Sequence, residues 1–278
     1  MNSQVLLVEC DDRRGLVHAI TGVLLKHGVN VVGNQEFVDR DSSRFFMRTE
    51  FDGQVVADQL LAEVRQALPP GASLRLSDLK PKRVVVLVSK EHHCLADILI
   101  RHAFGELNAH VLAVIGNHAV LQPLVAKFDL PFHFITHESL TREAHEAELL
   151  KVIDSYKPDF LVLAKYMRVL NPQFVARFPA RIVNIHHSFL PAFVGAKPYE
   201  QAFVRGVKVI GASAHFVTEK LDEGPLIVQQ VIPVDHTHTA HDLSQAGRDV
   251  EQMVLARGLR LVFEDRVFIF GNRTVIFD

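Results

Sequence analysis

Cysteine is nearly absent: only Cys10 and Cys94 occur in 278 residues. A small disulfide scaffold is excluded, and a chain this long with at most one possible bridge reads as a reduced intracellular protein. Neither sign of charge is in excess, with 30 Lys and Arg against 32 Asp and Glu. That balance provides no global basic field for nucleic acid or for an anionic membrane. Long hydrophobic runs are missing too: stretches such as Val84–Val88 and Phe160–Ala164 fall far short of the ~20 apolar residues that span a bilayer. Met1 to Asp12 ends in acidic residues where a secretory signal would have a positive start and a long apolar stretch. The mature protein is therefore expected to begin there and to work in the cytoplasm.

What the chain does contain is the composition of a globular protein, 48% hydrophobic and 22% charged, in a length that suggests two domains. Gln4–Cys10 reads as a strand and Arg14–His27 as an amphipathic helix with Leu16, Ile20, Val23 and Leu24 on one face. Gly28 stands where a left-handed cap would end that helix. Strands at Val29–Val38 and Arg44–Phe51, a helix at Val55–Leu68 and a last strand near Ser73–Leu76 complete the order βαββαβ. This is a ferredoxin-like arrangement, an antiparallel sheet with two helices on one face. It is assigned to residues 1–80, with Pro81–Arg83 as a linker and 84–278 as a second domain.

The second domain has a different rhythm. Strands at Val84–Val88, His110–Ile115, Phe132–Thr136 and Phe160–Ala164 alternate with helices near Leu95–Phe104, Ala119–Phe128 and Thr141–Tyr156. That alternation predicts a Rossmann-like, mainly parallel sheet covered on both faces, an α/β architecture. Further strands at Ile182–Ile185, Val209–Phe216 and Leu226–Pro233 precede a helix from Asp242 to about Phe263. Functional residues in such sheets gather at the carboxyl ends of the strands.

Two segments place chemistry there. Val183–Pro191 carries Asn184, His186 and His187 at a strand end, and alternation sends Asn184 and His186 to one side and His187 to the other. His215–Pro225 carries Asp222 in a loop closed by Gly224 and Pro225. Separately each is compatible with hydrogen-bonded residues at a sheet edge. Together an amide, an imidazole and a carboxylate form an acyl-transfer set, in which Asn polarises a carbonyl, His moves protons and Asp orients the His.

The motifs Asn184-x-His186, Ser188-Phe189-Leu190-Pro191, Gly195-x-x-Pro198 and His215 to Asp222 resemble the active-site signature of the formyltetrahydrofolate-using formyltransferase superfamily. Within it, Ala164–Leu170, His186–Pro191 and Gly247–Glu251 resemble the formyltetrahydrofolate deformylases. The N-terminal pattern Asp12-x-x-Gly15-Leu16-Val17-x-x-Ile20 with Asn30-Val31 resembles an ACT domain. The resemblance implies hydrolysis of 10-formyltetrahydrofolate to formate and tetrahydrofolate, supplying formate for purine synthesis and balancing the one-carbon folate pool. It assigns Asn184, His186 and Asp222 as catalytic and Met167, Arg168, Val169, Leu170, His215 and Gly195 as substrate-binding, with no cofactor and no metal. The loop after the first strand of this domain, Ser89-Lys90-Glu91-His92-His93-Cys94, has no glycine and carries an acid. Transferases acting on a ribonucleotide cradle its phosphate on backbone N–H groups of a glycine-rich loop there, so this departure favours water as acceptor. The alternatives are formyl transfer to a small amine, which acceptor-dependent turnover would reveal, and a non-enzymatic amino-acid sensor, against which the intact Asn184, His186 and Asp222 set argues.

Other polar clusters read as structural. His236-x-His238-x-x-His241 sits at a strand-to-helix junction where capping is the simpler explanation, while His92, His93 and Cys94 lack paired zinc spacing and are expected to line the mouth of the site. Ser188 has no nucleophile elbow around it and is expected to shape its loop. By resemblance, Asp12, Gly15 and Asn30 would bind an amino-acid effector such as glycine or methionine at an interface between subunits of a homo-oligomer, dimer or tetramer. A panel of amino acids that includes both should shift turnover or thermal stability; no change in either sinks the regulatory reading.

Overall fold

The computed structural model describes residues 3–192 and 198–278. The chain forms two compact units, Met1–Lys80 with Glu264–Phe268 and Val275–Asp278, and Pro81–Phe263 with Ile269–Thr274. In the first, β1 (Ser3–Asp11), α1 (Leu16–Lys26), β2 (Asn30–Asp39), β3 (Arg44–Asp52), α2 (Ala57–Ala67) and β4 (Ser73–Ser77) follow the expected βαββαβ order. Their antiparallel sheet runs β2-β3-β1-β4. Alternation along β1 sends Leu6, Val8 and Cys10 into one core with Leu16, Ile20 and Leu24 of α1 and Leu60 and Val64 of α2. Each such side chain contributes about 1.5–3 kcal/mol by leaving water. Gly28, with φ of 68°, ends α1 in the left-handed conformation its position called for.

The other face of this sheet is where the unit departs from the expected boundaries. Phe46 and Arg48 point there from β3, and both are buried. The C-terminal residues Glu264–Phe268 cover them. Phe268 meets the Phe46 ring edge-on at 5.6 Å, and the Arg48 guanidinium donates to the carbonyls of Glu264 and Asp265 at 3.2 Å each. Asp265 in turn accepts from Ser77 at 2.6 Å and pairs with Arg75 at 2.6 Å. A four-stranded sheet with helices on one side leaves its second face to be covered, and the end of the chain supplies the cover. Lys82 and Arg83, expected in a linker, instead open the first strand of the second unit.

That unit contains β5 (Lys82–Val88), α3 (His93–Ala103), β6 (Ala109–Gly116), α4 (Gln122–Ala126), β7 (Phe132–Phe134), α5 (Arg142–Tyr156) and β8 (Phe160–Leu163). It continues with α6 (Pro172–Ala176), β9 (Ile182–His186), α7 (Pro198–Arg205), β10 (Val209–Phe216), β11 (Leu226–Pro233) and α8 (Ala240–Phe263). A final hairpin, β12 (Val267–Phe270) and β13 (Arg273–Ile276), is divided between the units. Pro123 breaks the helix expected over 119–128 into a 3-10 turn and the short α4, because its ring fits only a first helical turn. The helices α6 and α7 and the last hairpin were not expected. The signals for two of them are Asn171-Pro172, where the Asn171 side chain caps α6 by accepting from Phe174 N at 2.7 Å, and the turn Gly271-Asn272 between apolar runs.

The seven strands lie in the order β11-β10-β9-β8-β5-β6-β7. Five are parallel, and β10 and β11 are antiparallel to their neighbours. The chain winds outward from β5 through β6 and β7, then returns to β8 on the other side, so the β5/β8 pair is the point where winding reverses. A crevice forms beyond the carboxyl ends at such a point. Here Met167 N, after β8, donates across it to Ser89 Oγ, after β5, at 2.9 Å. Cys10 and Cys94 are buried and unpaired.

Replacing Arg48 by Met should leave the Glu264 and Asp265 carbonyls without their donor inside the first unit and destabilise it by about 1–3 kcal/mol. Urea denaturation of the full chain should show a lower midpoint for R48M; an unchanged midpoint would mean the cover contributes little.

Candidate active site

Antiparallel pairing of β10 on β9 sets Asn184 directly opposite His215 and His186 opposite Ser213. His215 Nδ1–H donates to the Phe216 carbonyl at 2.9 Å, which leaves Nε2 as the acceptor. Asn184 Nδ2 donates to it at 3.1 Å. One N–H of the Asn184 amide is thereby used and its orientation is fixed, while its second N–H has no partner among the described residues. His215 is buried, and burial depresses its affinity for a proton, in keeping with a neutral orienting ring.

Asp222 arrives from the loop after β10. Its backbone is left-handed, with φ of 55°, a conformation Asp tolerates better than most residues. Two residues on, Gly224 packs so tightly that a Cβ there would overlap the Phe216 carbonyl oxygen. The loop is thus folded back against the end of β10, and Asp222 stands 3.3 Å from His186 Nδ1 and 3.7 Å from His215 Nε2. Burial works to raise the Asp222 pKa, but the hydrogen bond from His186 and the charges of the surrounding histidines outweigh it and hold the carboxyl below its ordinary value. The carboxylate is ionised throughout the neutral range. His186 Nε2, on the other edge of the ring, is buried and makes no hydrogen bond among the described residues.

The loop that follows β9 is tied to the sheet by one serine. Ser213 Oγ donates to Ser188 O at 2.8 Å and accepts from Leu190 N at 3.0 Å. Gln229 donates to the same hydroxyl and to Leu190 O. Ser188 itself donates to Ala192 O at 2.6 Å, a loop-shaping role. His187 departs from expectation: the strand ends at His186, so alternation ends with it, and the His187 ring stacks on His186 with centroids 4.9 Å apart instead of turning away.

Asn184, His186, His215 and Asp222 open into a cavity of about 390 Å³ whose remaining wall includes Met167, Arg168, Val169 and Leu170. All the expected catalytic residues and four consecutive expected substrate-binding residues therefore share one space. Gly195 lies outside the described residues, and Pro198 of its motif opens α7.

A second cavity of about 440 Å³ shares Lys165, Met167 and His187 with the first. Its floor is Glu251 of α8, fully buried, which accepts from His93 Nε2 at 2.7 Å and from Tyr199 at 2.6 Å and pairs with Lys165 Nζ at 3.0 Å. Burial opposes ionisation of Glu251, yet these three partners hold its pKa down to about 2. Donor atoms of His93, Cys94 and Glu251 lie within 4.8 Å of one another, but the carboxylate is already neutralised by the Lys165 ammonium. His93 and Cys94 are buried at the start of α3 rather than placed at the mouth of the site. This network was not foreseen, although Lys165 and Glu251 both lie in the deformylase-like segments.

In the first unit the candidate effector residues do not form one site within a chain. Asp12 follows the end of β1, and Gly15 begins the turn into α1. Asn30 opens β2 at the opposite end of the sheet, where the register pairs it with Asp52 and, across β3, Ser3. The exposed Asp235 and the half-buried Asp242 are held by Thr237, His238 and Thr239 in a local capping arrangement, the capping expected at this junction.

Comparisons with known proteins agree with this division. Residues 82–259 match the formyl transferase family and residues 4–69 the ACT domain family. Formyltetrahydrofolate deformylase of Escherichia coli K12 is 54% identical over 276 residues, 99% of each chain. The crystal structure of a formyltetrahydrofolate deformylase from Pseudomonas syringae superposes with a TM-score of 0.95 at 40% identity, covering 99% of this chain and 94% of that one. A glycinamide ribonucleotide transformylase from Symbiobacterium toebii reaches a TM-score of 0.69 at 33% identity, covering 76% of this chain and 100% of that one. Likeness to the transformylase thus leaves about a quarter of the chain unmatched, whereas likeness to the deformylases runs through both units: the chain belongs to the formyltetrahydrofolate deformylase family.

Proposed function

We propose that the chain hydrolyses 10-formyltetrahydrofolate to formate and tetrahydrofolate, with Asn184, His186 and Asp222 as its catalytic residues. The observation that carries this reading is the convergence of an ionised carboxylate, an imidazole with one free nitrogen and an amide with one free N–H on a single cavity. Asp222 lies against His186 Nδ1, so the carboxylate and the imidazole act as one acid–base pair along that contact. A water held beside Asp222 gives a proton to this pair as its oxygen bonds to the formyl carbon. The carbonyl oxygen becomes an oxyanion, which the unused N–H of Asn184 stabilises. Collapse breaks the bond from the formyl carbon to the folate nitrogen, and the proton held by His186 goes to that nitrogen. Formate leaves, and one proton passes to solvent per turnover.

The wall from Met167 to Leu170 would hold the pterin. These side chains suffice for the chemistry, so the reading calls for no metal or bound nucleotide. Hydrolysis over transfer is supported by the glycine-free Ser89–Cys94 loop and by the bulk of the His93, Lys165, Tyr199 and Glu251 cluster behind it. For the first unit we propose an amino-acid effector, glycine or methionine, bound between subunits of a homo-oligomer. The separation of Asp12 and Gly15 from Asn30 within one chain supports a site completed by a second copy. A cytoplasmic setting accords with the absence, among the described residues, of any helix long and apolar enough to cross a membrane. The formate released there would feed purine synthesis.

Formate release from 10-formyltetrahydrofolate with no added acceptor should proceed in the natural chain and fall by ~10²–10⁴ in Asp222→Asn, the usual worth of a positioned acid–base group. Turnover only on adding an amine such as glycinamide ribonucleotide would make the chain a transferase. Asn184→Ala should lower kcat by ~10²–10³, the loss expected for one oxyanion donor. A rise in KM at constant kcat would instead make Asn184 a binding residue.

A further inference from the structure

With the folate in the catalytic cavity, a formyl acceptor larger than water needs room beside it, and the second cavity offers that room. The two cavities share Lys165, Met167 and His187 as lining. Lys165 is the one of the three that Glu251 holds, its Nζ lying 3.0 Å from Oε2 of that buried carboxylate. Glu251 is itself engaged by His93 Nε2 and by Tyr199. Gly247, one turn earlier on α8, leaves space for the Tyr199 ring, which any Cβ there would overlap. The tip of the lysine is therefore tied to a carboxylate that cannot shift.

The backbone at this position is one that a lysine does not favour. Lys165 follows β8 with φ of 62°, in the left-handed region that glycine enters freely and asparagine more readily than a long side chain does. Burying a lysine also removes more rotamer freedom than burying almost any other residue. A glycine would avoid both costs, yet the chain carries a buried lysine there. Nor does the ion pair account for it, because desolvation offsets the attraction of buried charges. What remains is where the side chain stands: it reaches from the end of β8 to Glu251 on α8, along the wall common to both cavities.

We propose that Lys165, pinned by Glu251, determines which acceptor takes the formyl group: its side chain closes the passage from the second cavity to the formyl carbon, so that water reaches that carbon and amines do not. The inference rests on the hydrolytic role given to Asn184, His186 and Asp222 above. With the passage open, a primary amine in the second cavity bonds through its nitrogen to the formyl carbon. The bond from that carbon to the folate nitrogen breaks, and the proton lost by the amine passes to the folate nitrogen. The products are then an N-formyl amine and tetrahydrofolate, with no formate.

The test is a product ratio. 10-Formyltetrahydrofolate is turned over with rising glycinamide, a primary amine small enough for a cavity of about 440 Å³, and formate, N-formylglycinamide and tetrahydrofolate are measured. The ratio is internal to each variant, so it does not depend on how fast that variant is. In the natural chain, formate should equal tetrahydrofolate at every glycinamide concentration. The double variant K165G/E251Q suits the left-handed backbone and leaves no lone buried charge. In it, formate should fall short of tetrahydrofolate, with N-formylglycinamide making up the difference and saturating with glycinamide. K165N/E251Q, also suited to this backbone, should show the same loss to a smaller extent. K165Q/E251Q restores most of the length and should return formate to parity, which separates loss of the lysine stem from loss of the carboxylate. Parity in both shortened variants, or failure of both to fold by circular dichroism or to release tetrahydrofolate, would make Lys165 a structural strut and overturn the proposal. An equal leak from K165Q/E251Q, or N-formylglycinamide from the natural chain, would overturn it as well. A natural chain that releases no formate without an acceptor would bring down the hydrolytic reading instead.

Discussion

The site depends on the antiparallel pairing of β10 against the last parallel strand, β9. Antiparallel pairing puts side chains opposite each other in register, and only that register sets Asn184 against His215. A slip of one residue would turn the polar set to the other face of the sheet. Because the strands run antiparallel, the loop after β10 leaves beside the start of β9, where Val217 N donates to Ile182 O, and it must turn back along the strands to bring Asp222 within 3.3 Å of His186. Ser213 ties down the loop after β9, and the close approach of Gly224 to Phe216 folds back the loop after β10. Catalytic geometry here follows from sheet register more than from any single contact.

The second unit holds two ionised carboxylates whose surroundings assign them different work. Asp222 faces a cavity and is held charged mainly by hydrogen bonding and charge from histidines. Glu251 is fully buried beneath the second cavity and is already engaged by three donors, His93, Tyr199 and Lys165. A carboxylate that must exchange protons or hold water needs an unsaturated oxygen; one that must hold still needs none. Burial of an ion pair is not in itself stabilising, since desolvation offsets attraction. The Lys165–Glu251 pair is better understood as fixing where a charge sits.

Much of this was legible in the sequence where local patterns decide the outcome. Asn184, His186 and Asp222 stood out only as a set: each alone reads as a hydrogen-bonded residue at a sheet edge, and their combination and the deformylase-like motifs around them decided the reading. His187 did not, because the two-residue period of a strand was carried one residue past the point where the strand stops. Glu251 was hidden for another reason. Its partner His93 is 158 residues away, and on a long amphipathic helix an isolated acid reads as solvent-facing until packing shows otherwise. The closing hairpin had a local signal in Gly271-Asn272, but nothing local says that Arg48 needs the carbonyls of Glu264 and Asp265.

That last contact bears on the order in which the protein can be made. Because Glu264–Phe268 and Val275–Asp278 belong to the first compact unit, that unit cannot be completed until Pro81–Phe263 has been made. At ~5–20 residues per second, the intervening stretch takes roughly 10–40 s to synthesise. For that time Phe46 and the half of the sheet around it lack their cover, and a nascent chain in this state exposes an apolar, strand-rich surface. Folding of the first unit therefore waits on residues beyond the second, and a chain cut short before Glu264 would lose the cover of Phe46 and Arg48.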